Sequence, residues 1–234
     1  ITDTGFQLKN NNTGSNGDGT TYIYAAFADT RDAAFWLDSS GNNQDWQPVN
    51  LDHNDTVSDS PTDNFATLNP LDSNSNDTLS DGNLKIVTSS SAVGKTRATI
   101  GVSSGKWYWE VTCNAATANA QFMIGITTQD SSLTTYFGGS NGDYTYYGND
   151  GYKYYDGGSN VSYGATYGVG DVIGVALDMN AGTLIFYKNG VSQGTAFTGL
   201  SGEYFPALGD GSGSNGYTMT INFGQQPFVY GPPE

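Results

Sequence analysis

A second cysteine, a second histidine and an ordinary supply of basic side chains are all missing from this chain. Cys113 stands alone, so no disulfide can close within the chain, and it reads as a small hydrophobe at the end of a strand. His53 is the single histidine and lies far from Cys113 in sequence, so neither a Cys/His zinc site nor a Cys–His nucleophile pair is expected, and no Ser-His-Asp triad is built from His53 alone. Lys and Arg number 8 against 23 Asp and Glu, a net charge of −15. Without clustered cations the chain has nothing to hold phosphate, which excludes nucleic acid as a partner and disfavours an anionic membrane surface. No apolar run of about 18 residues occurs, so no membrane insertion is expected. No signal peptide is legible, and a first residue of Ile1 reads as a fragment, a processed product or the ordered part of a longer chain.

What is present points to β-structure. The 234 residues include 32 Gly and 16 Tyr, with Asn, Asp, Ser and Thr throughout. That mixture is poor in helix formers and rich in turn and strand formers, so the expected class is all-β with many loops. Residues 1–28 read as a hairpin, a strand on either side of a long polar loop. Residues 29–82 show no sustained period but carry isolated aromatics, among them Phe35, Trp36, Trp46 and Phe65. A disordered linker would not hold two Trp and two Phe, so this stretch reads as an extended segment pinned by single aromatic plugs.

Residues 83–234 repeat strand signals. Trp107, Trp109 and Val111 share one face, and Lys106, Tyr108, Glu110 and Thr112 share the other. Phe122, Ile124 and Ile126 alternate in the same way, as do Tyr217, Met219, Ile221 and Phe223. Each pattern predicts a strand with one face to a core and one to water. Val172–Leu177 and Leu184–Tyr187 are apolar on both faces, which predicts a central hairpin closed by Asp178–Thr183.

Several of these pieces fall in a recognisable order: Gly105-Lys-Trp-Tyr-Trp-Glu-Val111, Ile124-Gly-Ile126, Gly170-Asp-Val-Ile-Gly-Val-Ala-Leu-Asp178, Leu184-Ile-Phe-Tyr-Lys-Asn-Gly190, Gly194-Thr-Ala-Phe197, Tyr204-Phe-Pro-Ala-Leu208 and Asn222-Phe-Gly224. Together they resemble the SPRY domain over roughly residues 83–230. The resemblance implies a bent antiparallel β-sandwich of concanavalin-like, jelly-roll type with an extended N-terminal segment, and a binding module in place of an enzyme. Upstream, Phe35-Trp-Leu-Asp-Ser-Ser-Gly-Asn-Asn-Gln-Asp-Trp46 and Asp59-Ser-Pro-Thr-Asp-Asn-Phe-Ala-Thr-Leu-Asn-Pro70 are similar to segments preceding SPRY-like domains in structural proteins of marine bacteriophages. Gly5-Phe and Tyr22-Ile-Tyr-Ala-Ala-Phe27 resemble the closing strands of a lectin-like domain often found upstream there.

Candidate sites are few. The Asp178/Asn180/Gly182 turn offers too few oxygens for Ca²⁺, which needs six to eight, and reads as scaffold. The loop Asp72–Asn83 spaces its oxygen side chains like an EF-hand, but has Asp77 where that loop needs Gly and Asn83 where it needs Glu; it reads as a polar linker. No metal and no cofactor are expected. The aromatic-rich stretch supplies the ligand-binding candidates Tyr136, Tyr144, Tyr146, Tyr147, Tyr152, Tyr154 and Tyr155, separated by Gly and Asn. Tyr, Gly, Asn and Ser are also what antibody loops use for recognition, and a tyrosine ring stacks on sugar C–H faces; the competing reading is that these rings only cover a sheet. Glu occurs only as Glu110, Glu203 and Glu234, although Asp143, Asp150 and Asp156 near the tyrosines leave a glycoside-cleaving pair open.

The expectation is therefore a non-enzymatic virion protein, a tail-fibre or surface-fibre component. Its partners would be other virion proteins and a host-surface glycan or protein receptor, and its assembly a homo-oligomer, with a trimer as the guess. The alternative is an extracellular or cell-surface carbohydrate-binding module of a marine bacterium.

Overall fold

Residues 64–88, 92–116, 121–211, 213 and 216–233 are described by a computed structural model. The hairpin expected over 1–28 and the aromatic anchors Phe35, Trp36 and Trp46 lie outside these residues.

Among the described residues, fourteen strands, numbered in chain order, form two seven-stranded sheets in which every pairing is antiparallel. The first sheet runs β1 (Leu68–Ser73), β4 (Lys95–Ala98), β13 (Phe205–Asp210), β6 (Phe122–Thr127), β7 (Tyr144–Tyr147), β8 (Tyr152–Tyr155) and β9 (Ser159–Ser162). The second runs β12 (Val191–Thr198), β11 (Thr183–Lys188), β10 (Val172–Asp178), β5 (Lys106–Ala116), β14 (Tyr217–Asn222), β3 (Lys85–Val87) and β2 (Thr78–Ser80). The described residues contain no helix. The two sheets pack as a sandwich, as the alternation predicts.

The core is built by the inward residues of facing strands. Trp109, Val111, Ile173, Val175, Leu177, Leu184 and Phe186 from the second sheet meet Phe122, Ile124, Ile126 and Tyr146 from the first. Aromatic contacts bridge the layers: Phe122 lies 5.2 Å from Tyr217 and Tyr146 lies 5.3 Å from Phe186, both tilted. Edge and tilted arrangements of this kind add to the burial of apolar area that drives the layers together.

Four expectations are corrected here. The sandwich begins before residue 83: β1 and β2 lie within the stretch read as a linker, one in each sheet. Single strand residues such as Leu68, fully buried, carry no visible period because each strand is short and irregular; β1 has a register shift against β4. Second, β6 is buried on both faces, because the segment 128–143 folds over its outer side and seals Met123, Phe137, Tyr147 and Ala207 into a second, smaller cluster. Third, Trp107 is 47% exposed at the end of β5, so it is not part of the core scaffold as expected. Fourth, the polar face of β5 does not all meet water, since Glu110 is 2% exposed beneath the C-terminal strap described below.

The central hairpin holds. β10 and β11 pair in continuous register from Ile173↔Lys188 to Asp178↔Thr183, inside the second sheet. Its turn is closed by its own polar groups: Asp178 Oδ1 accepts from the amides of Asn180 and Ala181, each at 2.9 Å, and Asn180 Oδ1 accepts from Gly105 N at 2.9 Å. Gly182 takes φ +65°, and a Cβ there would stand 2.6 Å from the Leu200 carbonyl oxygen, so only glycine fits. One face of the hairpin is core. On the other, Ala176, Ile185 and Tyr187 remain half-buried, where full burial was expected.

Candidate functional site

Sixteen residues separate β6 from β7, and a long connection on a rigid sandwich is where recognition residues collect. This one is not loose. Lys95 and Arg97, two apart on β4, point to the same outer face of the first sheet, directly under the connection. Arg97 is 1% exposed; its Nε donates to Thr128 O at 3.0 Å, Nη2 to Gln129 O at 2.8 Å and to Ser131 O, and Nη1 to Asp72 Oδ1 at 2.7 Å. Three loop carbonyls thus end on one planar cation, the geometry a guanidinium supplies and an ammonium does not.

Asp143 collects the rest. Its carboxylate receives Lys95 Nζ at 2.7 and 2.6 Å, Thr127 Oγ1 at 2.6 Å, Ser131 Oγ at 2.6 Å, Gly138 N at 3.0 Å and Ser140 N at 3.1 Å. Both charged side chains are fully buried. Burial pushes the Lys95 ammonium below its usual range and the neighbouring Arg97 adds to that, while the Asp143 charge opposes it. Taking two ions out of water is tolerable only with this degree of hydrogen bonding. The result is a connection whose start, middle and end are tied to a single buried carboxylate.

Above this floor lies an open hollow of about 660 Å³, lined by Thr128, Asp130, Ser131, Ser132, Gly139, Ser140, Asn141, Gly142 and Gly157. Gly142 has φ +82°, and a Cβ would stand 2.3 Å from Thr128 Oγ1, so the hollow depends on a glycine there. The Tyr136 ring packs beside it, within about 3 Å of where a Gly139 Cβ would sit.

The seven candidate tyrosines separate into different environments. Tyr146 is fully buried and Tyr147 is 8% exposed. Tyr144 and Tyr155 are half-buried and stack edge-on against Phe197 at 5.1 and 5.6 Å. Tyr154 sits edge-on to Tyr147 at 5.4 Å and donates to Asp150 Oδ2 at 2.8 Å; burial and that carboxylate push its hydroxyl up to about 12. Tyr136 and Tyr152 alone reach 36% exposure. Of the seven, Tyr136 is the one packed against a residue of the hollow, and Tyr146 is core.

A second concavity, a groove of about 510 Å³, lies on the outer face of the second sheet between Tyr108, Ile185, Tyr187 and Pro232–Pro233. One wall is the C-terminal strap. Glu110 Oε2 accepts from Val229 N at 2.7 Å, and Oε1 accepts from Tyr230 N, Gly231 N and Tyr108 Oη, each at 2.9 Å. Phe228 meets the Tyr108 ring edge-on at 5.1 Å. Glu110 therefore fastens the strap and is not placed for chemistry.

The remaining acidic motifs are engaged in scaffold bonds. Asp72 pairs with Arg97, and Asp77 Oδ2 accepts from Thr96 Oγ1 at 3.1 Å. Among the described residues, no three of His, Cys, Asp and Glu gather where they could hold a metal ion. Cys113 is fully buried, and burial pushes its thiol well above the usual range. Sequence reasoning missed Lys95, Arg97, Asp130 and Asn141. In a chain with 8 basic residues, two of them spaced i,i+2 in a strand were the available signal.

Comparison with known proteins bears on the same region. A family model described as SPRY domain matches residues 106–226. Ran-binding protein 9 of Xenopus tropicalis is 32% identical over 159 residues, covering 65% of this chain and 29% of that protein. Ran-binding protein 10 of Danio rerio is 34% identical over 126 residues, 54% of this chain and 20% of that protein. The E3 ubiquitin-protein ligase RKP of Arabidopsis thaliana is 44% identical over 73 residues, 29% of this chain and 6% of its own length. The chain thus spans less than a third of these relatives. The crystal structure of the SPRY domain of human HERC1 superposes with a TM-score of 0.61 at 22% identity, covering 68% of this chain and 99% of that one.

Proposed function

The chain belongs to the SPRY family, and on that premise we propose that it is a recognition module without catalytic chemistry, carried in a virion as part of a tail or surface fibre. The observation that carries the recognition reading is the hollow over residues 128–142, whose floor is locked to Asp143. A site held in shape before its ligand arrives loses little ordering entropy on binding. The groups around it hydrogen-bond; none is arranged as a nucleophile with its base.

The virion setting rests on the N-terminal sequence likeness to phage structural proteins. Its partners there are other virion proteins, and a host-surface receptor at the hollow; a homotrimer is the assembly proposed. A second reading, docking onto a cellular protein, is favoured by relatives whose names describe them as binding Ran. Mass spectrometry of purified particles separates the two settings. Peptides from this chain in the particle, and competition by the isolated chain for particle adsorption to host cells, support the fibre reading. Absence of the chain from particles contradicts it, and conversion of a bound ligand to product contradicts the non-catalytic role.

A further inference from the structure

We propose that the hollow over residues 128–142 is a binding site for a neutral saccharide, with Asp130 and Asn141 as the residues that hold its hydroxyls. This rests on the recognition reading above and names the ligand class.

The lining and surroundings of the hollow select that class. Its lining holds no Leu, Ile, Val, Met, Phe or Trp side chain, so there is no pocket for the apolar anchor on which a protein epitope depends. It holds no Lys or Arg either. The nearest cations, Lys95 and Arg97, lie beneath the floor at 0% and 1% exposure and are spent on Asp143, Asp72 and loop carbonyls. Sialic acid, uronic acid, sulfate and phosphate therefore find no counter-charge, on a chain that already carries −15.

What the hollow does offer is polar and unspent. The Asp130 carboxylate and the Asn141 amide are exposed and make no hydrogen bond within the described residues, whereas Ser131, Ser132 and Ser140 are engaged with Asp143, Thr134 and Thr135. A carboxylate accepts from two neighbouring sugar hydroxyls at once, and a carboxamide both donates and accepts, which matches the dual character of each hydroxyl. Gly139, Gly142 and Gly157 let a ring approach the backbone. The Tyr136 ring, 36% exposed beside Gly139, supplies a flat apolar surface for the C–H face of a sugar. A volume of about 660 Å³ lies within the range of small-ligand sites.

The test is a glycan array carrying neutral, sialylated, uronic and phosphorylated structures, probed with the whole chain, followed by calorimetry on the strongest neutral hit. The expected result is binding to neutral glycans, weakened tenfold or more by Asp130→Ala and by Asn141→Ala at unchanged melting temperature, and untouched by Tyr152→Ala. Tyr136→Ala weakens it and Tyr136→Phe restores it. The inference is overturned if no array glycan binds, if only anionic glycans bind, or if the Asp130→Ala/Asn141→Ala double variant binds as well as the parent. A protein receptor lost in Asp130→Ala, with no glycan bound, overturns the ligand class alone and leaves the recognition reading standing.

Discussion

At the scale of single residues, stability hangs on a few buried charges. Lys95 and Asp143 are the most consequential pair. Lys95→Met keeps the volume but leaves Asp143 a buried anion without its cation, a loss of about 3–5 kcal/mol in urea unfolding. Lys95→Met with Asp143→Leu recovers part of that, because no charge is then stranded, while the connection still loses its anchor. Asp210 behaves in the opposite sense. It is 1% exposed, its Oδ2 has no hydrogen-bond partner, and Gly94 N reaches Oδ1 only at 3.4 Å. Burial, with repulsion from Asp77 added and the Gly94 amide and Thr88 hydroxyl opposing, pushes its carboxyl up to about 7. A folded value above the unfolded one means the native state holds its proton longer. The contribution is complete below about pH 4 and is lost as pH rises to about 7, up to about 4 kcal/mol. Asp210→Asn keeps the neutral shape, so the variant is expected to be more stable than the parent at pH 8 and no more stable at pH 4. Denaturant titrations of both proteins at the two pH values check this. None of these roles was legible in sequence, because Asp143, Asp150, Asp156 and Asp210 look alike until the fold decides which of them leaves water.

At the scale of elements, sequence pattern and structure agree where period and burial coincide. β10, β11 and β14 were readable because their core faces alternate or run apolar without interruption. β1 and β2 were not, since Leu68 is the lone buried hydrophobe of β1 and β2 is three residues long. The tyrosine stretch stayed ambiguous for a related reason. Alternating Tyr and Gly fits both a recognition loop and paired strands, and β7 and β8 turn out to be strands that send Tyr146 into the core. The strap over β5 escaped notice because its partner, Glu110, sits at a position that alternation assigns to water. Glu110→Ala strands three backbone amides and the Tyr108 hydroxyl at once. Part of the strap can turn to water, so the expected loss is about 2–4 kcal/mol. The accompanying sign is faster hydrogen exchange at Val229, Tyr230 and Gly231, with β10 and β11 unchanged; slow exchange of the strap in the variant would remove Glu110 from this role.

At the scale of the molecule, the sandwich divides labour between a rigid double layer and one fastened connection. The central hairpin, whose turn could have been a site, spends Asp178 on its own amides and on Lys106 and spends the Asn180 side-chain oxygen on the Gly105 amide. The hollow keeps the Asp130 carboxylate and the Asn141 amide unspent above a floor hydrogen-bonded to Asp143, and the charge of −15 sets what approaches it. The most direct measurement is hydrogen–deuterium exchange across the intact chain, with and without the tightest-binding neutral glycan from the array. Slowed exchange over residues 128–142 and 156–158, with residues 106–108 and 176–187 unaffected, is the predicted result. Protection confined to 106–108, 176–187 and the strap would place recognition in the groove of the second sheet and contradict the account.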